Sequence, residues 1–127
     1  MWKSKAGDKM RIMEIVFADK KIGREELEKI VKSSSLGDFI KGVVDVEKGV
    51  LALGGELHVD ALEVLVERGS AGPDIWGFNI YPDFSRDKRL EFISLINIRP
   101  SAGNRSMEIQ NEDLKKKITA IINDLIE

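Results

Sequence analysis

Apolar residues recur along the chain in two rhythms, one suited to strands and one to helices. From Arg11 to Ala18, the residues Ile12, Met13, Ile15, Val16 and Phe17 form a short β-prone run closed by Asp19-Lys20-Lys21, which predicts a strand. The rhythm then changes. Leu27, Ile30 and Val31 fall at i, i+3 and i+4 behind Gly23, a usable N-cap, with Glu25 and Glu26 where the helix dipole favours acid. A short helix ending near Ser33 is expected. Phe39 to Val46 and Val50 to Leu53 are apolar at both parities, and Glu47-Lys48-Gly49 between them suits a tight turn. The pattern predicts an antiparallel hairpin covered on both faces.

Asp60 and Glu63 stand as a capping box ahead of Leu62, Leu65 and Val66, with Val59 and Val64 as a hydrophobic staple and Gly69 as the stop. A second helix is therefore expected to begin at Asp60. Ile75 to Tyr81 reads as a strand, Pro82 to Lys88 as a polar loop, and Arg89 to Ile98 as the next strand. Paired as a hairpin, these strands set Trp76, Phe78 and Ile80 on the face of Leu90, Phe92, Ile96 and Ile98. Alternation then gathers Asn79, Tyr81, Asn97 and Arg99 on the opposite face. Asn111 caps a final amphipathic helix whose stripe is Leu114, Ile118, Ile121, Ile122, Leu125 and Ile126. The order β-α-β-β-α-β-β-α is that of a single α+β domain over residues 13–127, with helices packed on a mixed or largely antiparallel sheet. Residues 1–12 are expected to be a disordered lead-in or an expression remnant.

Composition narrows the function classes. A chain of 127 residues with a hydrophobic fraction of 43% can support one core without covalent staples. The absence of cysteine excludes disulfides, thiolate metal sites and a cysteine nucleophile, and it suits a cytoplasmic location. The charged fraction of 33%, above the roughly 25% usual for globular domains, matches the ion-pair enrichment of heat-adapted proteins. A net charge of −2 offers no basic field for a nucleic-acid backbone, so nucleic acid is disfavoured as a partner. No apolar run reaches the roughly 18 residues of a membrane span.

The candidate chemistry lies around the double glycine. Gly54-Gly55 leads into Glu56, His58 and Asp60, and if the backbone stays extended these three project from one face. A histidine between carboxylates can serve as a general base, with Glu56 as its partner, or as a metal ligand. With one histidine and no cysteine a metal is not assigned, and no cofactor is indicated. The alternative is a hydrogen-bonded structural His58 and an Asp60 that only caps. Arg99 and Arg105 flank a proline and a Gly-Asn pair and can converge on a phosphate or carboxylate; alternatively they pair internally with Glu56, Asp60 or Glu108. Asn79, Asn97 and Asn104 complete the expected ligand-binding set. Lys115-Lys116-Lys117 reads as the solvated face of the last helix.

The segments Gly54-Gly55-Glu56-Leu57-His58, Trp76-Gly77-Phe78-Asn79-Ile80-Tyr81-Pro82, and Ile96-Asn97-Ile98-Arg99-Pro100 with Gly103-Asn104-Arg105-Ser106 resemble a family of small prokaryotic proteins of unknown function. The resemblance spans roughly Met13 to Glu127 and implies that these motifs belong together. It brings no activity with it. Two functions follow for comparison. One is a pocket, enzymatic or not, in which Glu56, His58, Asn79, Asn97, Arg99, Asn104 and Arg105 hold a small anionic ligand. The other is an interaction module or homo-oligomer in which the same residues form a structural network. Burial separates them: a pocket leaves His58 and an arginine facing water, and a network seals and satisfies them.

Overall fold

The computed structural model describes residues 15–34 and 36–127. The expected lead-in and the first half of the first predicted strand lie outside the described residues. The strands are β1 (Ile15–Ala18), β2 (Ile40–Asp45), β3 (Val50–Gly54), β4 (Ile75–Ile80) and β5 (Leu90–Glu91). They form one antiparallel sheet in the order β1-β3-β2-β4-β5. Three helices join them among the described residues: α1 (Arg24–Ser33), α2 (His58–Glu67) and α3 (Glu112–Leu125). This is the α+β domain that the pattern predicts.

The hairpin of β2 and β3 sits at the centre. Its turn is held by Asp45, whose Oδ1 accepts from the backbone N–H groups of Glu47 and Lys48 at 2.8 and 2.9 Å. Apolar residues at both parities give the sheet two buried faces, because alternate side chains point to opposite sides. On one face, Val44, Leu51, Leu53, Phe78 and Ile80 pack against Leu27 and Ile30 of α1 and Ile118, Ile122 and Leu125 of α3. On the other, Val43, Ala52 and Ile75 pack against Ala61 and Leu65 of α2. Asn111 caps α3 as expected, its side chain accepting from Leu114 N–H at 2.9 Å.

Two expectations about the start of α2 are corrected. The second helix begins at His58, with Leu57 as N-cap and no side-chain capping bond. Asp60 is therefore an acid in the first turn and not the cap. Gly54 and Gly55 hold φ of 113° and 89°, values a side-chain-bearing residue rarely adopts, so the chain reverses as it leaves β3. Glu56, His58 and Asp60 consequently do not share an extended face. The end of α2 agrees with expectation: Gly69 N–H bonds to Val66 C=O, and Ser70 N–H bonds to Leu65 C=O.

The strand expected over Arg89–Ile98 is reduced to Leu90–Glu91, after which the chain forms short 3-10 turns at Leu95–Asn97 and Pro100–Ala102. The expected register holds while pairing lasts, with Asn79 opposite Glu91 and Ile80 opposite Leu90. Phe92 joins the face of Phe78, as predicted. Ile96 instead packs on the α2 face, and Ile98 is exposed.

Side chains take over where β5 stops. Asn97, fully buried, accepts from Gly77 N–H at 2.8 Å and donates back to Gly77 C=O at 3.0 Å. One amide thus satisfies both main-chain groups that a neighbouring strand would have paired. Arg99 donates to the carbonyls of Ile75, Pro73 and Ile96, and its guanidinium lies 4.5 Å from the centre of the Trp76 ring. Gly77 is glycine because the crossing segment lies too close for anything larger: an added Cβ would stand 2.6 Å from Ser94 Cβ.

Arg89, expected at the start of a strand, is buried. It donates to the carbonyls of Ile126 and Glu127 at 2.9 and 2.7 Å, closing the C-terminal end of α3.

Candidate functional site

The reversal at Gly54-Gly55 and the early end of β5 leave a cleft on the α2 face of the sheet. Its volume is about 320 Å³, at the lower end of the range usual for small-molecule sites. Lys41 and Asn79, directly opposite each other on β2 and β4, contribute its polar lining from the sheet. Leu57, His58 and Val59 at the start of α2 line one side, and Ile93, Ser94, Leu95, Ile96 and Met107 line the other. Leu95 is 71% exposed and Leu57 56% exposed, so large apolar groups face water around the cleft. A shallower depression beside α3 is lined by Glu112, Lys115 and Thr119. Three of its polar groups have partners within the helix, Lys115 pairing with Glu112 at 3.0 Å and Thr119 donating to the Lys115 carbonyl.

His58 is 8% exposed, and its Nε2 lies 2.9 Å from the Phe78 carbonyl oxygen. A carbonyl can only accept, so Nε2 carries the hydrogen, and in the neutral ring Nδ1 is an acceptor. Burial lowers the pKa below the ordinary 6.5, and the nearby Lys41 cation lowers it further; the Phe78 carbonyl and Asn79 act the other way. Lys41 is the charge that bears on the ring, in place of the carboxylates the spacing suggested.

Asn79 donates from Nδ2 to Glu91 Oε1 at 2.9 Å, and its Oδ1, although buried, has no hydrogen-bond partner. Asn79 is close enough to favour a charged ring at His58. A neutral ring has a single N–H, already spent on Phe78.

A depressed histidine pKa makes stability depend on pH with a definite sign. The unfolded ring takes up its proton first as pH falls, so the His58 contribution is complete above the unfolded value of 6.5. It is lost progressively from there down to the lower folded value. The urea midpoint is expected to drop between pH 7.5 and 5.5 by more in the native protein than in a His58→Gln variant. Equal drops in the two proteins would show that the ring carries no such linkage.

The expected site residues fall into separate groups. His58 and Asn79 line the cleft together. Asn97 and Asn104, both buried, and the half-buried Arg99 form a hydrogen-bonded network outside its lining. Asn104, 5% exposed, donates to the carbonyls of Asn97, Ser106 and Glu108 and accepts from Gln110 N–H. Backbone bonds between Arg99 and Asn104 close the loop that holds Gly103. Glu56 and Arg105 are exposed, line neither the cleft nor the network, and make no side-chain hydrogen bond or ion pair among the described residues. Glu56, His58, Asn97, Arg99 and Arg105, expected as one cluster, share no common lining or hydrogen-bonded group among the described residues. Helix α2 has already begun at His58 while Glu56 precedes it, and Arg99 is spent on carbonyls.

Lys41 and Glu91 are the site residues the sequence reading missed. A signal existed for Lys41: it is a charge inside an apolar run covered on both faces, a costly position unless it is used. Among the described residues no group of three His, Asp or Glu side chains is placed to hold a metal ion.

Fold and cleft together define a small α+β protein with one face of its sheet left partly open. The DUF5674 family of proteins of unknown function matches residues 15–125, and the chain belongs to it, in line with the resemblance carried by the three motifs. No curated protein and no solved structure matches the chain.

Proposed function

We propose that this protein is a binding module whose cleft takes a small molecule with an apolar body and a carboxylate or phosphate. One observation carries the reading: two polar groups in the lining of an otherwise apolar cleft lack internal partners. Asn79 Oδ1 is buried and unpartnered, and Lys41 has no ion pair among the described residues. Buried polar atoms are nearly always satisfied, so an orphan in a cleft calls for a group from outside. The anion is assigned to Lys41, assisted by the uncapped N-terminus of α2 beside it. Arg99 and Arg105 are not needed for that role.

The alternative, an interaction or oligomeric module, draws support at a different place. Asn97 and Asn104 are buried and satisfied, and the half-buried Arg99 is spent on carbonyls, as a structural network requires, and that favours stability as their task. For His58 the depressed pKa makes Nδ1 a weak base, and exposed Glu56 lends it no help, so binding is favoured over turnover. No helix of the described residues is long and apolar enough to cross a membrane. The cysteine-free chain suits such a role in the cytoplasm.

The test uses 3-phenylpropionate, phenyl phosphate and the neutral 3-phenylpropanamide. The two anions are expected to raise the melting temperature and shift the ring signals of His58, the single histidine, more than the amide does. Lys41→Met is expected to weaken anion binding about tenfold, as for loss of a charged hydrogen-bond partner. No movement of the His58 signals by any of the three at millimolar concentration would overturn the proposal.

A further inference from the structure

Resting on that reading, we infer that the cleft selects ligands carrying an O–H or N–H group beside the anion, and that Glu91 sets this preference. The inference starts from the two-sided chemistry of an amide. Asn79 could offer the cleft either its oxygen or its NH₂ group, and the two differ only by a flip about the terminal bond. Glu91 removes the choice. Its ionised carboxylate can only accept, and at 2.9 Å it holds the NH₂ half of Asn79 to itself. The carboxylate is held in turn by the Tyr81 hydroxyl, which donates to the same Oε1 at 3.3 Å. The Tyr81 ring is stacked between Phe39 and Phe84, with centroids 5.2 Å apart on each side. A flip of the amide would set an oxygen against a carboxylate oxygen, so Oδ1 is the half left without a partner.

His58 adds a second acceptor. With Nε2–H committed to the Phe78 carbonyl, the neutral ring keeps a lone pair on Nδ1. Two residues that line the cleft thus each hold an acceptor without a partner, beside one cation, Lys41. Lys41 and Asn79 face each other in register across β2 and β4, which brings their Cβ atoms to roughly 5 Å. An anion on Lys41 and a donor on Asn79 must then lie within a few bonds of each other in the ligand. An ammonium donor would meet the Lys41 charge, so a neutral hydroxyl or amide N–H is preferred. Together with the apolar walls, this describes 2-hydroxy or N-acylated 2-amino carboxylic acids with an apolar side chain.

The test compares 3-phenyllactate with its O-methyl ether and with 3-phenylpropionate, following His58 by NMR and affinity by calorimetry on the full chain. Phenyllactate is expected to bind about tenfold more tightly than the ether, which keeps the carboxylate and ring but has no donor. In Glu91→Gln the residue at 91 can donate as well as accept, Asn79 is free to flip, and the hydroxyl-to-ether ratio is expected to fall towards one. A ratio is the readout because general loosening of the fold weakens both ligands alike. Equal binding of phenyllactate and its ether to the native protein would overturn the acceptor lining while leaving the cleft as an anion site. A ratio unchanged in Glu91→Gln would overturn the role of Glu91. Failure of all three acids to bind would remove the proposed function itself, and this inference with it. The native comparison needs no variant, so misfolding of Glu91→Gln leaves the ligand class decided.

Discussion

Replacing Asn97 by leucine, a side chain of similar length without the amide, is expected to cost about 3–5 kcal/mol of stability. The side chain is fully buried, and its amide pairs with Gly77 N–H, Gly77 C=O and Met107 C=O at 2.8, 3.0 and 3.2 Å. Removing one side of these pairs leaves main-chain groups without partners, each at about 1–3 kcal/mol. Water cannot easily replace the amide, because Ser94 and Ile96 lie directly over Gly77. Urea denaturation measures the loss. A cost below about 1 kcal/mol, the usual effect of an ordinary substitution, would mean that the edge of β4 is solvated and that the network does not hold the crossing segment. Asn97→Asp is expected to be at least as damaging, since it turns the donating half of the amide into an acceptor facing the carbonyls of Gly77, Phe92 and Met107.

Ile122→Ala is expected to cost roughly 2–5 kcal/mol, and Ile122→Val roughly 0.5–1.5 kcal/mol. Ile122 is inaccessible to solvent and lies in the larger of the two cores, with Ile118 and Leu125 of the same helix. The surroundings are anchored from several directions. Arg89 holds the end of α3, and the Ile22 and Leu125 backbones bond at 2.7 Å. The cavity left by truncation therefore has little freedom to collapse, which places the expected loss in the upper half of the range. Equal midpoints for alanine and native proteins would show that α3 is not seated on the sheet as described.

Neither variant touches the cleft directly, and the two report on different kinds of legibility. The Ile122 stripe was visible in the sequence because helical spacing is local and repeats over three turns. The same holds for the Gly23 and Asn111 starts, for the turn at Gly49 and for the two-sided core of β2 and β3. The Asp60 assignment failed although its capping signature was sound. The signature records what a side chain can do for a helix, and the reversal at Gly54-Gly55 started the helix before Asp60 was reached.

What the sequence determined by itself was the alternation of elements and the residues that must be buried, since each follows from a period of two or 3.6 along the chain. It also confined the polar motifs to a few short segments. Only the tertiary structure decided how those segments divide. Asn97 and Arg99 went to the edge of β4 and Asn104 to the loop that carries them, while His58 and Asn79 stayed at a cleft with Lys41. The physical reason is the end of β5 at Glu91. Once a strand stops early, its neighbour's main-chain groups must be satisfied by whatever folds back over them, and that partner is set by distance in space rather than by spacing along the chain.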